Sequence, residues 1–404
     1  METEKTDILV GIASFNNANT IAHVVKAVDA GLVKYFQDKK AIIVNSDGGS
    51  RDGTPDIVRT ATQDHAAIFL SHPIYPAHRI SIPYDGIPGK GSAFRALFRK
   101  AVEMNAEACC VVDADLRSIT PEWIELLLLP VIQNGFDFVA PLYNRYKYDG
   151  TITNSIVYPV TRALYGKRIR QPIGGEFGFS GKMAEFYASQ EVWESHVARF
   201  GVDIWMTTEA IANNFKVCQT FLGAKIHDPK DPGSDLADML LQVVATLFSL
   251  TEKHYYKWKD EKGSSDVPTF GFRYHVGLES VRVNTERMLD VFRTGQRNLR
   301  DIWLKIMGPG DFGEVENLGR LSNGAFRFPD GLWIRVVYDY IIAYHRKIMS
   351  PEHLIRSLVP LYLGKTASFV FEVGNMEHEG AEASIERLCL EFENNKDYLV
   401  TNWK

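Results

Sequence analysis

Two acidic residues separated by a single alanine follow an apolar run in the first half of the chain. They are Asp113 and Asp115, in the segment CCVVDAD. On an extended strand, residues at positions i and i+2 point to the same side, so both carboxylates would reach solvent together. Two such carboxylates repel each other unless a cation lies between them or one is protonated. The spacing predicts a site for a hard divalent cation, Mg²⁺ or Mn²⁺. The alternative is a pair of solvated loop acids.

A histidine far along the chain is a candidate third ligand. His227 lies in GAKIHDPKD, directly after a predicted strand with the sequence KVCQTFL. A neutral imidazole is a common metal ligand, although an ordinary loop histidine would look the same in the sequence. Two carboxylates and a histidine are a minimum set for holding a metal ion against a diphosphate, with water in the remaining positions.

Two glycine-rich segments predict close approach of the backbone to a ligand. The segment GKG at residues 89–91 opens a helix, where backbone amides attract phosphate and Lys90 adds a positive charge. The segment DGGSRDGT at residues 47–54 would let a flat ligand approach, with Asp47 accepting hydrogen bonds from a base or a ribose. A turn followed by a helix cap explains the second segment equally well. The Walker A motif and the GxGxxG motif are both absent, which disfavours a P-loop and a Rossmann dinucleotide site.

Two further segments carry an acid beside glycine. The segment GGEFG contains Gly174, Gly175 and Glu176, and its glycines again indicate close approach to a ligand. The segment GVD at residues 201–203 opens a helix, for which Asp203 is a plausible cap.

The elements that must position these residues alternate between apolar strands and amphipathic helices. This alternation predicts a mostly parallel sheet covered by helices on both faces, an α/β fold of Rossmann-like type. Such sheets bind ligands where their strands end, and the polar residues Ser14 and Asn16 also follow a strand. Strands are predicted at residues 8–14, 41–46, 66–71, 109–115 and 136–141, and in the segment KVCQTFL.

The sequence pattern changes beyond about residue 235, where the apolar residues recur with the spacing of a helix. We therefore predict two domains, a nucleotide-sugar-binding α/β domain at residues 1–234 and a mainly helical domain at residues 235–404. Within the second domain, residues 308–329 are rich in Gly and Asn and predict a loop. The helical domain is compatible with homo-oligomer assembly.

The composition limits the classes of function. The 404 residues carry a net charge of −5, so the chain lacks the basic field that nucleic acid or an anionic membrane requires. The N-terminal segment lacks a signal-peptide pattern, and no apolar run approaches the ~20 residues of a membrane-spanning helix. None of the four cysteines forms a CxxC pair. These features favour a cytoplasmic protein.

Taken together, the segments resemble the glycosyltransferases of GT-A fold. The opening ILVGIASFNNANTI and the segment VNSDGGSRDGT are similar to the nucleotide-binding half of many family-two-like members. A narrower resemblance joins this chain to the retaining mannosylglycerate synthases and glucosyl-3-phosphoglycerate synthases over about residues 8–250. It rests on the ordered segments GKGSAFRALF, VVDADLRSITPEWI, RQPIGGEFGFSG, FGVDIWMTTEA and AKIHDP.

The resemblance implies a set of roles for residues of this chain. It implies that Asp115 and His227 bind the metal, and that Asp113 touches the ribose, or the metal through water. The nucleotide-sugar contacts fall on the residues named above at the strand ends and glycine-rich turns: Ser14, Asn16, Asp47, Lys90, Gly174 and Gly175. Glu176 would hold sugar hydroxyls, Asp203 the sugar or the acceptor, and Arg145 and Thr153 the carboxylate of the acceptor.

The chain also departs from this family. Its relatives usually place an arginine after the GGE motif, whereas here FGFSGK leaves only Lys182. Lysine does not give the bidentate phosphate recognition of arginine, which disfavours a phosphorylated acceptor such as 3-phosphoglycerate. We expect a metal-dependent, retaining transfer of a hexose, mannose or glucose, from a nucleoside diphosphate sugar to a small polar acceptor such as glycerate.

Three other functions fit the same residues. The first is an inverting family-two-like transferase with Asp203 or Glu209 as general base. The second is a nucleotidyltransferase, which also uses strand-end aspartates, metal and a glycine-rich turn. The third is a sugar-nucleotide sensor without turnover.

Overall fold

A computed structural model describes residues 5–61, 77–226, 236–274, 276–278 and 280–404. The described chain divides into two compact units. The sheet unit is formed from residues within 5–144, 169–226 and 267–277, and the helical unit from residues within 145–168, 236–266 and 278–404. The boundary therefore differs from a single division at residue 234, because residues 145–168 cluster with the helical unit and Val267–Gly277 with the sheet unit.

The sheet unit alternates strands and helices along most of its length. Its strands are β1 (Ile8–Ser14), β2 (Ala41–Asp47), β3 (His78–Pro83), β4 (Ala108–Asp113), β5 (Phe138–Asn144), β7 (Phe177–Ser180), β8 (Val217–Ala224) and β10 (Thr269–Phe270). Its helices are α1 (Ile21–Tyr35), α2 (Thr54–Thr60), α3 (Lys90–Glu103), α4 (Pro121–Ile132), α6 (Gly181–Ala188) and α7 (Val202–Ala212). The strand predicted at residues 66–71 lies outside the described residues.

Among the described residues, these strands form one eight-stranded sheet in the order β10-β8-β5-β7-β4-β1-β2-β3. Every strand pairs in parallel except β7, which runs antiparallel between β4 and β5. The strand order reverses between β1 and β4, which is where open α/β sheets bind ligands at their carboxyl edge. The predicted mostly parallel α/β sheet is confirmed.

Helices cover both faces because the strands are apolar on both sides. On β1, Ile8, Val10 and Ile12 belong to the core under α1 and α4. On the opposite face of the same strand, a Cβ at Gly11 would lie only 2.6 Å from Leu97 of α3. Residues that alternate along one strand thus meet different helices, which fixes the register of the sheet.

The helical unit consists mainly of helices, which are between 4 and 23 residues long. They are α5 (Tyr158–Tyr165), α8 (Ala237–Lys253), α9 (Tyr255–Trp258), α10 (Thr285–Asn298), α11 (Arg300–Gly319), α12 (Asp330–His345), α13 (Pro351–Val373), α14 (His378–Asn394) and α15 (Lys396–Asn402). A π-helical turn at Thr153–Val157 precedes α5, and the short strands β6 (Lys167–Arg168) and β9 (Ser265–Asp266) pair in parallel. None of the described helices combines the length and apolarity that a membrane-spanning segment needs.

The prediction of a loop at residues 308–329 was wrong over the first half of that range. Helix α11 continues to Gly319, with a single interruption where Gly308 adopts a φ of 74°. Pro309 then starts the second segment, a position where its missing N–H costs little. Phe312, Val315 and Leu318 recur every three residues and are buried, so their packing outweighs the weak helix propensity of the glycines.

Candidate active site

Five charged side chains of the sheet unit meet at the carboxyl edge of the sheet, and we call them the charged cluster. Asp113 is the last residue of β4, Lys225 directly follows β8, and Glu176 directly precedes β7. Lys90 is the first residue of α3, and Asp203 is the second residue of α7. Because β7 is antiparallel, its start lies at the same edge as the ends of β4 and β8.

Asp113 is held between the two lysines of the charged cluster. Its Oδ1 lies 2.8 Å from Lys90 Nζ, and its Oδ2 lies 2.9 Å from Lys225 Nζ. Burial alone would raise the pKa of Asp113, but the two ammonium groups hold it well below its usual value. Asp113 is therefore an anion whose position is fixed from both sides.

Glu176 is turned fully into the protein. Its side chain is 0% exposed, and its two oxygens lie 2.8 and 3.0 Å from Lys225 Nζ. The hydroxyl of Tyr143 also donates to Oε2. Burial raises the pKa of Glu176 to about 8, against the opposing effect of Lys225, and the neighbouring charge of Asp113 adds to the rise.

Asp203 has one satisfied and one unsatisfied oxygen. Oδ2 accepts a hydrogen bond of 3.1 Å from Lys90 Nζ, whereas buried Oδ1 meets no hydrogen-bond partner among the described residues. Burial raises the pKa of Asp203, and Lys90 opposes that rise. The sequence interpretation as a helix cap was wrong, since Gly201 is the cap and Asp203 turns to Lys90 instead. An unsatisfied buried carboxylate oxygen is a natural acceptor for a ligand hydroxyl.

The glycines of the GGE segment are required by close packing within the site. Gly175 has a φ of +99°, and a Cβ there would lie 2.5 Å from Asp113 Oδ2 and 3.0 Å from Lys225 Nζ. A Cβ at Gly174 would lie 2.2 Å from Pro141, and its carbonyl accepts a 2.7 Å hydrogen bond from Lys225. The turn at residues 174–176 thus closes directly on the charged cluster. The sugar contact expected of these glycines stays a prediction.

Asp115 lies beyond the end of β4, in the turn that follows it, so it does not share the strand pleat with Asp113. Its side chain is half-buried. The same turn bonds to the end of the segment after β8: Arg117 N donates to Ile226 O at 2.9 Å, and Ile226 N donates to Ser118 Oγ at 2.9 Å.

His227, which follows Ile226, lies outside the described residues. Within the part of the chain that the structure describes, no group of three or more His, Cys, Asp or Glu side chains is arranged to hold a metal ion. The metal role of Asp115 and His227 therefore stays a prediction.

The segment GKG packs against the backbone of residues 197–199. The amide of Gly91 donates to the carbonyl of Arg199 at 3.2 Å, and a Cβ at Gly91 would lie 1.8 Å from the carbonyl oxygen of Val197. Its glycines therefore allow α3 to begin directly against this segment, and Lys90 projects into the charged cluster. The phosphate contact expected of Lys90 stays a prediction.

The turn after β2 is organised by Asp47. Its carboxylate accepts from the amides of Gly49 and Ser50, from Ser50 Oγ, and from Ser14 Oγ at 2.9 Å. Asn16 lies beside the same turn, where its Oδ1 accepts from Arg51 N. Ser14, Asn16 and Asp47 are thus brought together, and their nucleotide contacts stay predictions.

The two acceptor candidates belong to the helical unit. Arg145 lies 3.4 Å from Asp149 Oδ2, and buried Thr153 begins the π-helical turn. Single-turn π-helices occur frequently at functional sites, but the acceptor role of this pair stays a prediction.

Lys225 was not recognised from the sequence as a site residue. In AKIHDP it stands in a polar segment, where a lysine normally lies in solvent. The usable signal was its position, one residue after an apolar strand and therefore at the edge where the other candidates were expected.

Part of the chain is similar in sequence to a known protein family. Residues 9–184 match the sequence model of the family described as Glycosyl transferase family 2. The matched span covers less than half of the chain, and its similarity to a glycosyltransferase domain agrees with the GT-A expectation. No curated protein matches the chain.

Among solved structures, glucosyl-3-phosphoglycerate synthase from Mycobacterium tuberculosis is similar. Its complex with Mn²⁺, uridine diphosphate and glucosyl-3-phosphoglycerate has 21% sequence identity and a TM-score of 0.45, over 61% of this chain and 80% of that chain. The complex of that enzyme with Mg²⁺ and uridine diphosphate has 22% identity and a TM-score of 0.45, over 61% of this chain and 79% of that chain.

Proposed function

Because residues 9–184 match glycosyl transferase family 2, we propose that the protein transfers a hexosyl group from a nucleoside diphosphate sugar to a small polar acceptor. The observation that carries the proposal is the charged cluster at the carboxyl edge of the sheet. Within it, Asp203 Oδ1 is buried and lacks a hydrogen-bond partner among described residues. A sugar hydroxyl is a donor of the right size and chemistry for this oxygen.

The chemistry of Asp115 suits a divalent cation. Asp115 is half-buried and lies two residues after Asp113 in the sequence, and oxygen ligands suit Mg²⁺ and Mn²⁺. We propose that Asp115 and His227 hold the ion, because the residue before His227 is hydrogen-bonded to the turn that contains Asp115. When bound, such an ion neutralises the charge that develops on a departing diphosphate.

We propose that the protein's own side chains position the substrates and do not act as nucleophiles. Glu176 is enclosed by Lys225 and Tyr143, so it presents no exposed oxygen as a nucleophile beneath a sugar. This enclosure supports transfer on one face with retention of configuration. The bond from the anomeric carbon to the diphosphate oxygen breaks as the acceptor oxygen forms its bond to that carbon. The hydroxyl proton passes to the departing phosphate oxygen. Asp203, fixed by Lys90, would orient the sugar.

The acceptor is proposed to carry no phosphate. Lys182 is the cation after the GGE motif, two residues beyond Ser180. Ser180 pairs with Ala108 at the start of β4, whereas Asp113 lies at the end of that strand. At about 3.3 Å per residue, the two edges are roughly 17 Å apart. Lys182 therefore cannot take the place of the missing arginine, and a carboxylate acceptor such as glycerate is favoured.

Product analysis tests the proposal. The protein with Mn²⁺ or Mg²⁺ is screened against UDP-, GDP- and ADP-sugars for a rise in melting temperature, since a donor that binds the folded state stabilises it. Transfer to glycerate and to 3-phosphoglycerate is then compared, and the anomeric configuration is read by NMR. Release of pyrophosphate would identify a nucleotidyltransferase, and an inverted product would support Asp203 or Glu209 as general base. Donor binding without turnover would indicate a sensor.

Arg145 is tested separately. If it holds the acceptor carboxylate, Arg145→Ala raises the acceptor KM more than the donor KM. An unchanged acceptor KM removes Arg145 from the site.

A further inference from the structure

Lys225 connects parts of the sheet unit that are not neighbours in the sheet. It follows β8, whereas its partners Asp113 and Glu176 belong to the ends of β4 and β7. Strand β5 lies between β8 and β7 in the strand order. The lysine side chain therefore crosses the end of β5, where its ammonium lies 5.7 Å from the centre of the Tyr143 ring.

The environment of this ammonium is unusual for a lysine. The side chain is only 5% exposed, and lysine is almost never buried unless it is paired. Its Nζ donates to Asp113 Oδ2 at 2.9 Å, to the carbonyl of Gly174 at 2.7 Å and to Glu176 Oε1 at 2.8 Å. These three acceptors surround the ammonium with both charged and neutral oxygen atoms.

Each of the three contacts fixes a different part of the site. The contact with Asp113 holds the acid at the switch point of the sheet, where the donor is expected. The contacts with Gly174 and Glu176 hold the two ends of the 174–176 turn. Gly175, between them, has room for no Cβ because Asp113 and Lys225 lie so close.

We propose that Lys225 is a positioning residue of the transfer reaction, which sets the distance between Asp113 and the 174–176 turn and so shapes the subsite for the donor sugar. This inference rests on the proposed function. Lys225 acts through the groups that it holds, and it need not touch the substrate. Its ammonium must be a single small donor, because the acceptors converge on one point.

Three variants test the proposal. Lys225→Met keeps the length of the side chain and removes its charge, so kcat is expected to fall about 100-fold, as small misplacements in an active site do. The donor KM is expected to change much less. Lys225→Arg restores the charge but not the single-point geometry, so it is expected to recover only part of kcat. The double variant Lys225→Met with Glu176→Gln also replaces the buried carboxyl, whose ionisation burial disfavours, and is expected to unfold less easily than Lys225→Met alone.

Lys182→Met is the matched control, because Lys182 lies at the other edge of the sheet, 4.9 Å from the centre of the Phe215 ring. It is expected to keep the kcat of the unaltered protein. An unchanged kcat in Lys225→Met overturns the proposal, as does full rescue by Lys225→Arg.

A second measurement is independent of any transfer activity. Hydrogen–deuterium exchange is expected to rise in Lys225→Met, and in the folded double variant, at residues 113–115 and 174–176 together. The control variant is expected to leave both segments unchanged. Faster exchange without detectable transfer by the unaltered protein would reject the proposed function and show only that Lys225 holds the two segments in place. Unchanged exchange at both segments would reject the positioning role whatever the activity.

Discussion

Lys90 Nζ lies 3.1 Å from Asp203 Oδ2, although the two residues are 113 positions apart in the chain. The contact leaves Asp203 Oδ1 buried without a hydrogen-bond partner among the described residues. The pair thus fixes one oxygen of Asp203 while the other keeps unused acceptor capacity, which is the arrangement expected of a sugar-orienting residue.

Asp203→Asn tests this relationship. The amide loses the ion pair with Lys90 and can place an NH₂ group where an acceptor oxygen is needed, so we expect kcat to fall by about 100-fold. Steady-state kinetics against donor and acceptor measure the change. Asp56→Asn is the control, because Asp56 is an exposed acid paired with Arg59 on α2. Equal kcat in both variants would remove Asp203 from the reaction.

Asp115→Ala tests the cation site. If Asp115 is a metal ligand, we expect transfer to fall by about 100-fold or more while the melting temperature without ligand stays close to that of the unaltered protein. The metal dependence of the remaining activity should also shift to higher Mn²⁺ concentrations. Asp38→Ala, at an exposed position between α1 and β2, serves as control. Normal, metal-independent turnover by the Asp115 variant would exclude the proposed cation site.

Gly175→Ala tests the tight closure of the 174–176 turn. The φ of +99° is unfavourable for alanine, and the Cβ would lie 2.5 Å from Asp113 Oδ2. Gly135 has a φ of +66° with nothing within 4 Å, so Gly135→Ala carries only the backbone cost of about 1–2 kcal/mol. We expect Gly175→Ala to lose clearly more stability in urea unfolding and to lose most transfer activity. Equal losses in the two variants would show that the contact with Asp113 is unimportant.

Much of the sheet could be predicted because its strands are buried. The apolar runs of β1, β2, β4, β5 and β8 stand out against polar turns, and those turns gather the candidate residues at one edge. Strand β7 gave a weaker signal because it has only four residues, FGFS, and includes a glycine. That glycine is needed where β7 passes α4, since a Cβ at Gly178 would lie 2.0 Å from the carbonyl oxygen of Leu127.

The candidate site was less predictable than the sheet because its contacts join distant segments. The sequence indicates that Asp113, Lys90 and Glu176 lie near one edge of the sheet. It does not indicate that Lys90 and Lys225 both form ion pairs there. The enclosure of Glu176 depends on Lys225 and Tyr143, which carry no motif of their own. Spacing predicts which strand end a residue occupies, whereas the direction of a long side chain is decided by packing.

Lys147→Met tests a contact that stabilises the helical unit. Lys147 Nζ donates to the carbonyls of Val373, Gly374 and Met376 at 2.9, 2.8 and 2.9 Å, at the end of α13. A cation at a helix C-terminus satisfies free carbonyls and the helix dipole, so we expect a loss of about 1–2 kcal/mol. Thermal unfolding measures the change against Lys305→Met, an exposed lysine of α11. Equal melting temperatures would show that water replaces Lys147 without cost.

Asp339 on α12 predicts a pH dependence of stability. Burial raises its pKa to about 7, while the Tyr398 hydroxyl donates to Oδ1 at 2.6 Å and favours the charged form. Asp311 adds to the rise, and Arg335 and Arg346 oppose it. The other oxygen, Oδ2, is buried without a hydrogen-bond partner among the residues that the structure describes. Ionisation of this carboxyl is therefore unfavourable in the folded state.

The sign of the effect follows from proton linkage. The ordinary pKa of the group is 3.8, so between about pH 4 and pH 7 the folded chain retains a proton that the unfolded chain has lost. The contribution of Asp339 to the free energy of unfolding therefore falls as pH rises through this window and is level above it. At about 1.4 kcal/mol per pKa unit, a few kcal/mol is the upper bound.

Asp339→Asn removes this titration. Urea unfolding between pH 4 and pH 8 should show that the variant gains stability relative to the unaltered protein as pH rises, and that the gain stops near pH 7. A constant offset between the two curves is expected as well, because the new amide NH₂ group must find its own acceptor in place of Oδ2. Only the change of the stability difference with pH reports on the ionisation of Asp339. Parallel curves across the whole range would mean that Asp339 ionises in the folded protein as it does in the unfolded chain.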